Sequence, residues 1–297
     1  MSKSLVIGAN GLVGQNFMDI LSASGREVVG TCFSRSHEQF KKLDILNKAE
    51  ISQLFEEVSP DEVYFCANFP GGVNRCEDER EQATRFHLDS VKNIVSECKK
   101  LNSKLIFIST DYVFADSKEP VEEDHERNPL NVYGDLKAKA EDYIQENLTR
   151  FLSIRTTNIY GLDLKTKTPN YFMQIFSKLK NNEKVKTSSQ MYGTPTPAKG
   201  LAQSILLLVD KDVSGIFHIV GPEYVNRYEW ALEIAKEFGF DQKLIENVPA
   251  NTGGCKRPLN LRLSTSKIKN TVPFNILGLK EELNRIHDDF NRITLEN

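Results

Sequence analysis

The chain has 297 residues, 39% of them hydrophobic and 27% charged, which is enough apolar matter for one large core or two ordinary ones and too much for a disordered chain. Lys plus Arg number 38 against 41 Asp plus Glu, so the net charge of −3 gives no basic footprint for nucleic acid. Apolar runs such as 205–209 fall far short of the roughly 18 residues a membrane span needs. The five scattered cysteines include no C-x-x-C pair, which points to a reduced compartment and away from a disulfide scaffold or zinc ribbon. Met1-Ser2-Lys3-Ser4 runs straight into a strand-like segment without a signal-peptide pattern, so the expected location is cytoplasmic.

In chain order, short apolar runs alternate with helical patterns. Strands are expected at 5–7, 28–31, 63–66, 105–109 and 151–155, and helices at 12–23, 48–58, 82–100 and 137–147. Such alternation predicts an α/β fold: a Rossmann-type doubly wound parallel sheet covered by helices on both faces. The regularity fades after Gly161. A helix at 171–180, the turn-rich Gly193-Thr194-Pro195-Thr196-Pro197, a helix at 201–209 and a strand at 216–220 follow, then helices at 228–237 and 280–290. We expect residues 1–161 with about 198–222 to form the first domain. Residues 162–197 with 223–297 then form a smaller C-terminal substrate lobe.

Gly8-Ala9-Asn10-Gly11-Leu12-Val13-Gly14 follows the first strand and opens the first helix. Gly8 suits a tight turn, Gly11 lets backbone approach a pyrophosphate, and Gly14 lets helix and strand pack closely. The anion would sit on the free N–H groups of the helix start. The spacing G-x-x-G-x-x-G is a variant of the dinucleotide-binding fingerprint. Asn10, Leu12 and Val13 of the turn, and Ala67 after the third strand, complete the expected contacts. About twenty residues on, an NAD-binding chain would place a carboxylate on the ribose. Here the run is Thr31-Cys32-Phe33-Ser34-Arg35. A guanidinium with the Ser34 hydroxyl suits a 2′-phosphate, so NADP is expected ahead of NAD. Asp44 is a further candidate for the adenine side.

Tyr133-Gly134-Asp135-Leu136-Lys137 sets a phenol and an ammonium four apart, on one face at a helix start. Thr110 ends the fourth strand, and carboxyl ends of strands face the ligand crevice of a doubly wound sheet. A phenol of pKa near 10 is a sluggish acid at pH 7. The expectation is that Lys137 lowers it by its charge and that the Thr110 hydroxyl orients a substrate carbonyl. The histidines lack i, i+4 pairing and metal-ligand spacing to cysteine, so no metal is expected. Trp230 is expected in the core.

These blocks resemble the extended branch of the short-chain dehydrogenase/reductase superfamily and, within it, the dTDP-4-dehydrorhamnose reductase family. The resemblance runs through Gly8/Gly11/Gly14, Val73-Asn74-Arg75-Cys76-Glu77, Ser109-Thr110-Asp111-Tyr112-Val113-Phe114 and Pro129-Leu130-Asn131-Val132-Tyr133-Gly134-Asp135-Leu136-Lys137. It continues through Tyr192-Gly193-Thr194-Pro195-Thr196, Gly215-Ile216-Phe217-His218-Ile219-Val220-Gly221 and Arg257-Pro258. It implies Thr110, Tyr133 and Lys137 as the catalytic set, a nucleotide-sugar substrate and reduction of its 4-keto group; a homodimer is compatible with it. His87 stands where relatives usually carry Asn, Met191 where Gln is common, Leu261 where Ser is usual, Asn16 where some carry a metal-linked Glu, and Cys66-Ala67-Asn68, then Phe69-Pro70-Gly71-Gly72, where Asn-Ala-Ala is usual. These departures are expected near the substrate pocket. Two other readings stay open. A nucleotide-sugar epimerase or dehydratase is disfavoured by Tyr112 where dehydratases carry Glu, and by Arg35. A non-catalytic NADP-binding regulatory subunit, similar to that of methionine adenosyltransferase, is disfavoured by the intact Thr110/Tyr133/Lys137 set.

Overall fold

The computed structural model describes residues 2–33, 38–163, 170–251 and 254–295. Strands β1 (Lys3–Ile7), β2 (Glu27–Cys32), β3 (Lys41–Lys42), β4 (Glu62–Phe65), β5 (Lys104–Ile108) and β6 (Phe151–Arg155) join the later strand Gly215–His218 in one sheet. Its order is Gly215–His218, β6, β5, β4, β1, β2, β3, and every pairing is parallel. From β1 the chain steps outward to β2 and β3, then returns to the other side of β1 with β4. That reversal opens a crevice at the carboxyl ends of β1 and β4.

Strand alternation assigns each face. Leu5, Ile7, Val63, Phe65, Leu105 and Phe107 point to one side, under helices α2 (Lys48–Val58), α5 (Ser90–Leu101) and α6 (Val132–Asn147). Val6, Tyr64, Ile106, Leu152 and Ile154 point to the other, under α1 (Leu12–Ala23) and the helix Ala198–Asp210. Both faces are buried, so the strands read as continuous apolar runs.

The expected helix 82–100 is present as one continuous helical run with a π turn inside it, the backbone being helical at Thr84, Arg85, Asp89 and Ser90 on either side. After β4 the structure has α3 (Gly72–Asp78), α4 (Arg80–Thr84), the wide π turn Arg85–Asp89, and then α5. A separate core lies away from the sheet, in which Phe172, Phe176, Trp230, Ile234, Leu283 and Ile286 pack from the helices Tyr171–Lys180, Arg227–Glu237 and Leu279–Leu295. Asn226 and Glu229 cap the second of these reciprocally, satisfying two amides that would otherwise lack partners. Trp230 is 1% exposed, edge-on to Tyr160 at 5.2 Å. Among the described residues, no helix is long and apolar enough to cross a membrane.

Candidate active site

The carboxyl ends of β4, β5 and β6, with α3, the π turn and the start of α6, wall a cavity of about 290 Å³. Thr110 follows β5 in extended backbone, and its hydroxyl accepts from the Tyr112 amide at 3.2 Å. The same hydroxyl donates to Asp111 Oδ1 at 3.2 Å.

The position of Tyr133 is fixed by how α6 begins. Asn131 caps the helix: its Oδ1 accepts from the Gly134 amide at 2.8 Å, and its Nδ2 donates to the Lys256 carbonyl at 3.0 Å. The Val132 amide donates to Glu77 Oε1 at 2.7 Å. Gly134 lies flat on the Tyr112 backbone, where a Cβ would come 2.1 Å from the carbonyl oxygen. These ties start the helix five residues before the expected 137 and present the Tyr133 ring to the cavity. The ring stands edge-on to His87 at 5.1 Å and to Tyr112 at 6.3 Å.

Lys137 follows one turn later and is 3% exposed. Its Nζ donates to the Ile108 carbonyl at 2.8 Å and lies 4.4 Å from the Phe107 ring centre and 5.8 Å from that of Tyr133. Burial pulls the ammonium down to about 8, with Glu141 acting in the opposite direction. The Tyr133 phenol is pushed above its ordinary range, first by burial and then by the Asp111 carboxylate. The lowering expected from Lys137 is not seen: burial and the Asp111 carboxylate set the direction. The phenol is therefore protonated at neutral pH. Burial also lifts Asp111 to about 6, against hydrogen bonds from Thr157 and Thr110.

The glycine turn sits at the carboxyl end of β1. Gly8 has φ +85°, and a Cβ there would meet the Ala67 amide nitrogen at 2.8 Å. A Cβ on Gly14 would come 2.2 Å from the Gly8 carbonyl, so this glycine is required by helix-to-turn packing. Gly11 differs: a Cβ there would meet only the Gly8 carbonyl, at 3.5 Å. Nothing inside the chain demands its missing side chain, as expected where another molecule's backbone or phosphate approaches. Gly11 is also the N-cap of α1 and offers no side chain to the first-turn amides. Val13 and Ala67 line the cavity, which joins this turn to Tyr133 and Lys137. The turn thus fits a dinucleotide pyrophosphate. Asn10 and Leu12 lie within the same turn, with Leu12 buried in α1.

Ser34 and Arg35 lie outside the described residues. Asp44 is not on the cavity wall; it follows β3, its Oδ1 accepting from the Leu46 amide at 2.9 Å. Of the departures expected around the pocket, His87 lines it, and so does the 66–72 stretch through Cys66, Ala67, Asn68, Phe69 and Gly72. Leu261 is 3% exposed in an apolar cluster with Val113, Phe114 and Val121, so it is a core residue. Met191 lies off the wall, its carbonyl accepting from the Arg227 amide at 2.9 Å. Asn16 binds back to the Leu12 carbonyl at 2.8 Å.

His87 sits on the π turn, 2% exposed, with no hydrogen-bond partner at Nε2. Burial and the neighbouring Lys137 push it down to about 2, so the ring is neutral. Sequence reasoning did not single out Asp111 or Asn158. Both follow the carboxyl ends of sheet strands, and the rule that found Thr110 would have found them. Asn158 holds a positive φ of 48° and accepts from Arg227 at the start of the helix Arg227–Glu237.

The sequence matches the family described as RmlD substrate binding domain over residues 2–292. It is 27% identical to the methionine adenosyltransferase 2 subunit beta of Xenopus tropicalis over 295 residues, 95% of this chain and 87% of that one. It is 28% identical to the dTDP-4-dehydrorhamnose reductase of Aggregatibacter actinomycetemcomitans over 286 residues, 91% and 92% of the two chains. A solved dTDP-4-dehydrorhamnose reductase from Clostridium acetobutylicum superposes with a TM-score of 0.85 at 27% identity, covering 97% of this chain and 99% of that one.

Proposed function

Because this chain belongs to the RmlD substrate binding domain family, we propose that it is an NADP(H)-dependent reductase of a 4-keto sugar carried on a nucleotide. The carrying observation is convergence: Thr110, Tyr133 and Lys137 line one cavity, and Val13 and Ala67 join that cavity to the glycine turn. The turn at Gly8, Gly11 and Gly14 would hold the pyrophosphate, and Ser34 and Arg35 the 2′-phosphate. When bound, the nicotinamide supplies the hydride that converts the keto carbon to an alcohol.

The protein's part is the proton. Tyr133 stays protonated because its site is buried and faces Asp111. It donates to the carbonyl oxygen as negative charge develops there, so one hydride and one proton complete the alcohol. Thr110 can donate a second hydrogen bond to that oxygen by turning its one hydroxyl proton away from Asp111, its oxygen still accepting from the Tyr112 amide. Lys137 places a positive charge behind the phenol and favours the phenolate that remains. Tyr133→Phe should lower kcat by roughly 10²–10⁴ while leaving thermal stability and NADPH affinity near the parent. Turnover at the parental rate would refute the mechanism.

A second reading, a cofactor-binding regulatory subunit without turnover, draws support from the likeness to methionine adenosyltransferase 2 subunit beta and from His87 on the cavity wall. Two results together would establish it: no turnover on any nucleotide keto-sugar, and a stoichiometric complex with an enzyme partner.

A further inference from the structure

His87 lines the cavity, yet its Nε2 meets no partner among the described residues, although the residue is 2% exposed. Three rings surround the imidazole edge-on: Tyr133 at 5.1 Å, Phe86 at 5.4 Å and Phe69 at 6.1 Å. They fix its plane, and none of them bonds to Nε2. A buried polar atom left unpaired is costly, and an apolar side chain of similar size would remove that cost. The backbone is unusual at the same point. His87 is the middle residue of the π turn Arg85–Asp89, a rare form that collects at functional sites. An unpaired nitrogen on a cavity wall, delivered there by a rare turn, is explained by a ligand that completes it.

The surroundings indicate which part of a ligand that is. Phe69 belongs to the stretch that leaves β4 through Ala67, the residue packed against Gly8 of the glycine turn. Helix α6 contributes Tyr133 and, one turn on, Lys137 to the same wall. A dinucleotide with its pyrophosphate on the glycine turn and its nicotinamide at Tyr133 has one ribose between those two points. His87 touches residues from both ends of that span. We infer that His87 Nε2 forms a hydrogen bond with a hydroxyl of this ribose, so that His87 serves cofactor binding and not the fold. The inference rests on the reductase reading, which supplies the dinucleotide.

The chemistry of the two groups agrees. Burial and the neighbouring Lys137 keep the imidazole neutral, and a neutral imidazole has one donor and one acceptor nitrogen. A hydroxyl both donates and accepts, so the bond forms whichever tautomer is present.

The test measures NADPH affinity by calorimetry and melting of the ligand-free full chain in the parent, His87→Leu and His87→Asn. A nitrogen left unpaired for a ligand predicts opposite signs in the two readouts. Without cofactor, His87→Leu should melt about 2–5 °C above the parent. It should bind NADPH about three- to tenfold more weakly. His87→Asn keeps a polar group on the wall and should recover part of the affinity. A lower melting temperature in His87→Leu with parental affinity would mark a structural histidine and overturn the inference. Parental affinity with a raised melting temperature would overturn it as well. If His87→Leu does not fold, the parent carrying ¹⁵N-histidine is titrated with NADP⁺, the His87 signals being assigned by their absence in His87→Asn: a moved Nε2 resonance supports the contact and an unmoved one refutes it. A parent that binds no NADPH would refute the dinucleotide reading, whereas parental binding that ignores position 87 refutes this inference alone.

Discussion

Asp111→Asn offers a test in which burial, charge and pH make one numerical claim. Asp111 is 6% exposed and its carboxyl is raised from 3.8 to about 6, burial outweighing the hydrogen bonds from Thr157 and Thr110. Between about pH 4 and pH 6 the folded protein therefore holds this proton more tightly than the unfolded chain does. Stability from this group is intact below pH 4 and is lost as the pH rises to 6. Two pH units correspond to about 3 kcal/mol. Asn keeps the shape and cannot ionise, and both threonine hydroxyls can turn to accept from its amide. The variant should match the parent at pH 4 within the cost of that rearrangement, then gain on it by about 3 kcal/mol at pH 7 and above. For a chain of 297 residues that is about 5 °C in melting temperature. Scanning calorimetry of both proteins at pH 4.5 and 7.5 reads about two thirds of it, about 2 kcal/mol or 3 °C, because the unfolded carboxyl is already mostly ionised at pH 4.5 and all other titrating groups cancel in the difference. If the two melting temperatures differ equally at both values, Asp111 does not carry a buried charge and the reasoning fails.

Three further outcomes follow from the same geometry. Gly134→Ala forces a Cβ to within 2.1 Å of the Tyr112 carbonyl, a backbone atom that cannot swing aside; it should cost about 1–3 kcal/mol by urea unfolding and lower kcat further, and a parental melt would refute the close packing. Lys137 carries its charge below about 8 and loses it above, so kcat/KM should fall as the pH rises through that value, and a flat profile to pH 9.5 would count against its role. NADPH should bind ten- to a hundredfold more tightly than NADH, the worth of a charge-assisted Arg contact. Arg35→Ala should remove most of that gap by calorimetry, whereas equal affinities in the parent would demote Arg35 to a surface charge.

The pattern of apolar runs and glycines made the parallel sheet legible, because strands buried on both faces and a strand–turn–helix junction leave local marks. The pairing of Tyr133 with Lys137 was legible for the same reason, since both lie on one helix. What escaped depends on partners distant in sequence. Residues 82–100 scan as one amphipathic helix, and no local feature announces the π turn that carries His87 onto the cavity wall. The start of α6 is set by Asn131 meeting residue 256 and by Gly134 meeting Tyr112, so periodicity placed it late. Lys41–Lys42, two charged residues, form an edge strand only because β2 lies beside them. Leu261 looked like a pocket substitution because its type differs from relatives, but only the packed cluster around it shows that it faces the core.

The ties at the start of α6 also bind it to a stretch more than a hundred residues further along the chain. The Val132 amide is protected by Glu77, whose Oε1 also receives the Cys255 thiol at 3.8 Å, and the Gly134 amide is protected by Asn131, which holds Lys256. The stretch at 255–256 therefore shares its hydrogen-bond partners with the two amides flanking Tyr133. Loss of these shared contacts would loosen the very turn that aims the phenol. Amide hydrogen exchange at Val132 and Gly134 is thus a gauge of how firmly the 255–256 stretch holds the start of α6.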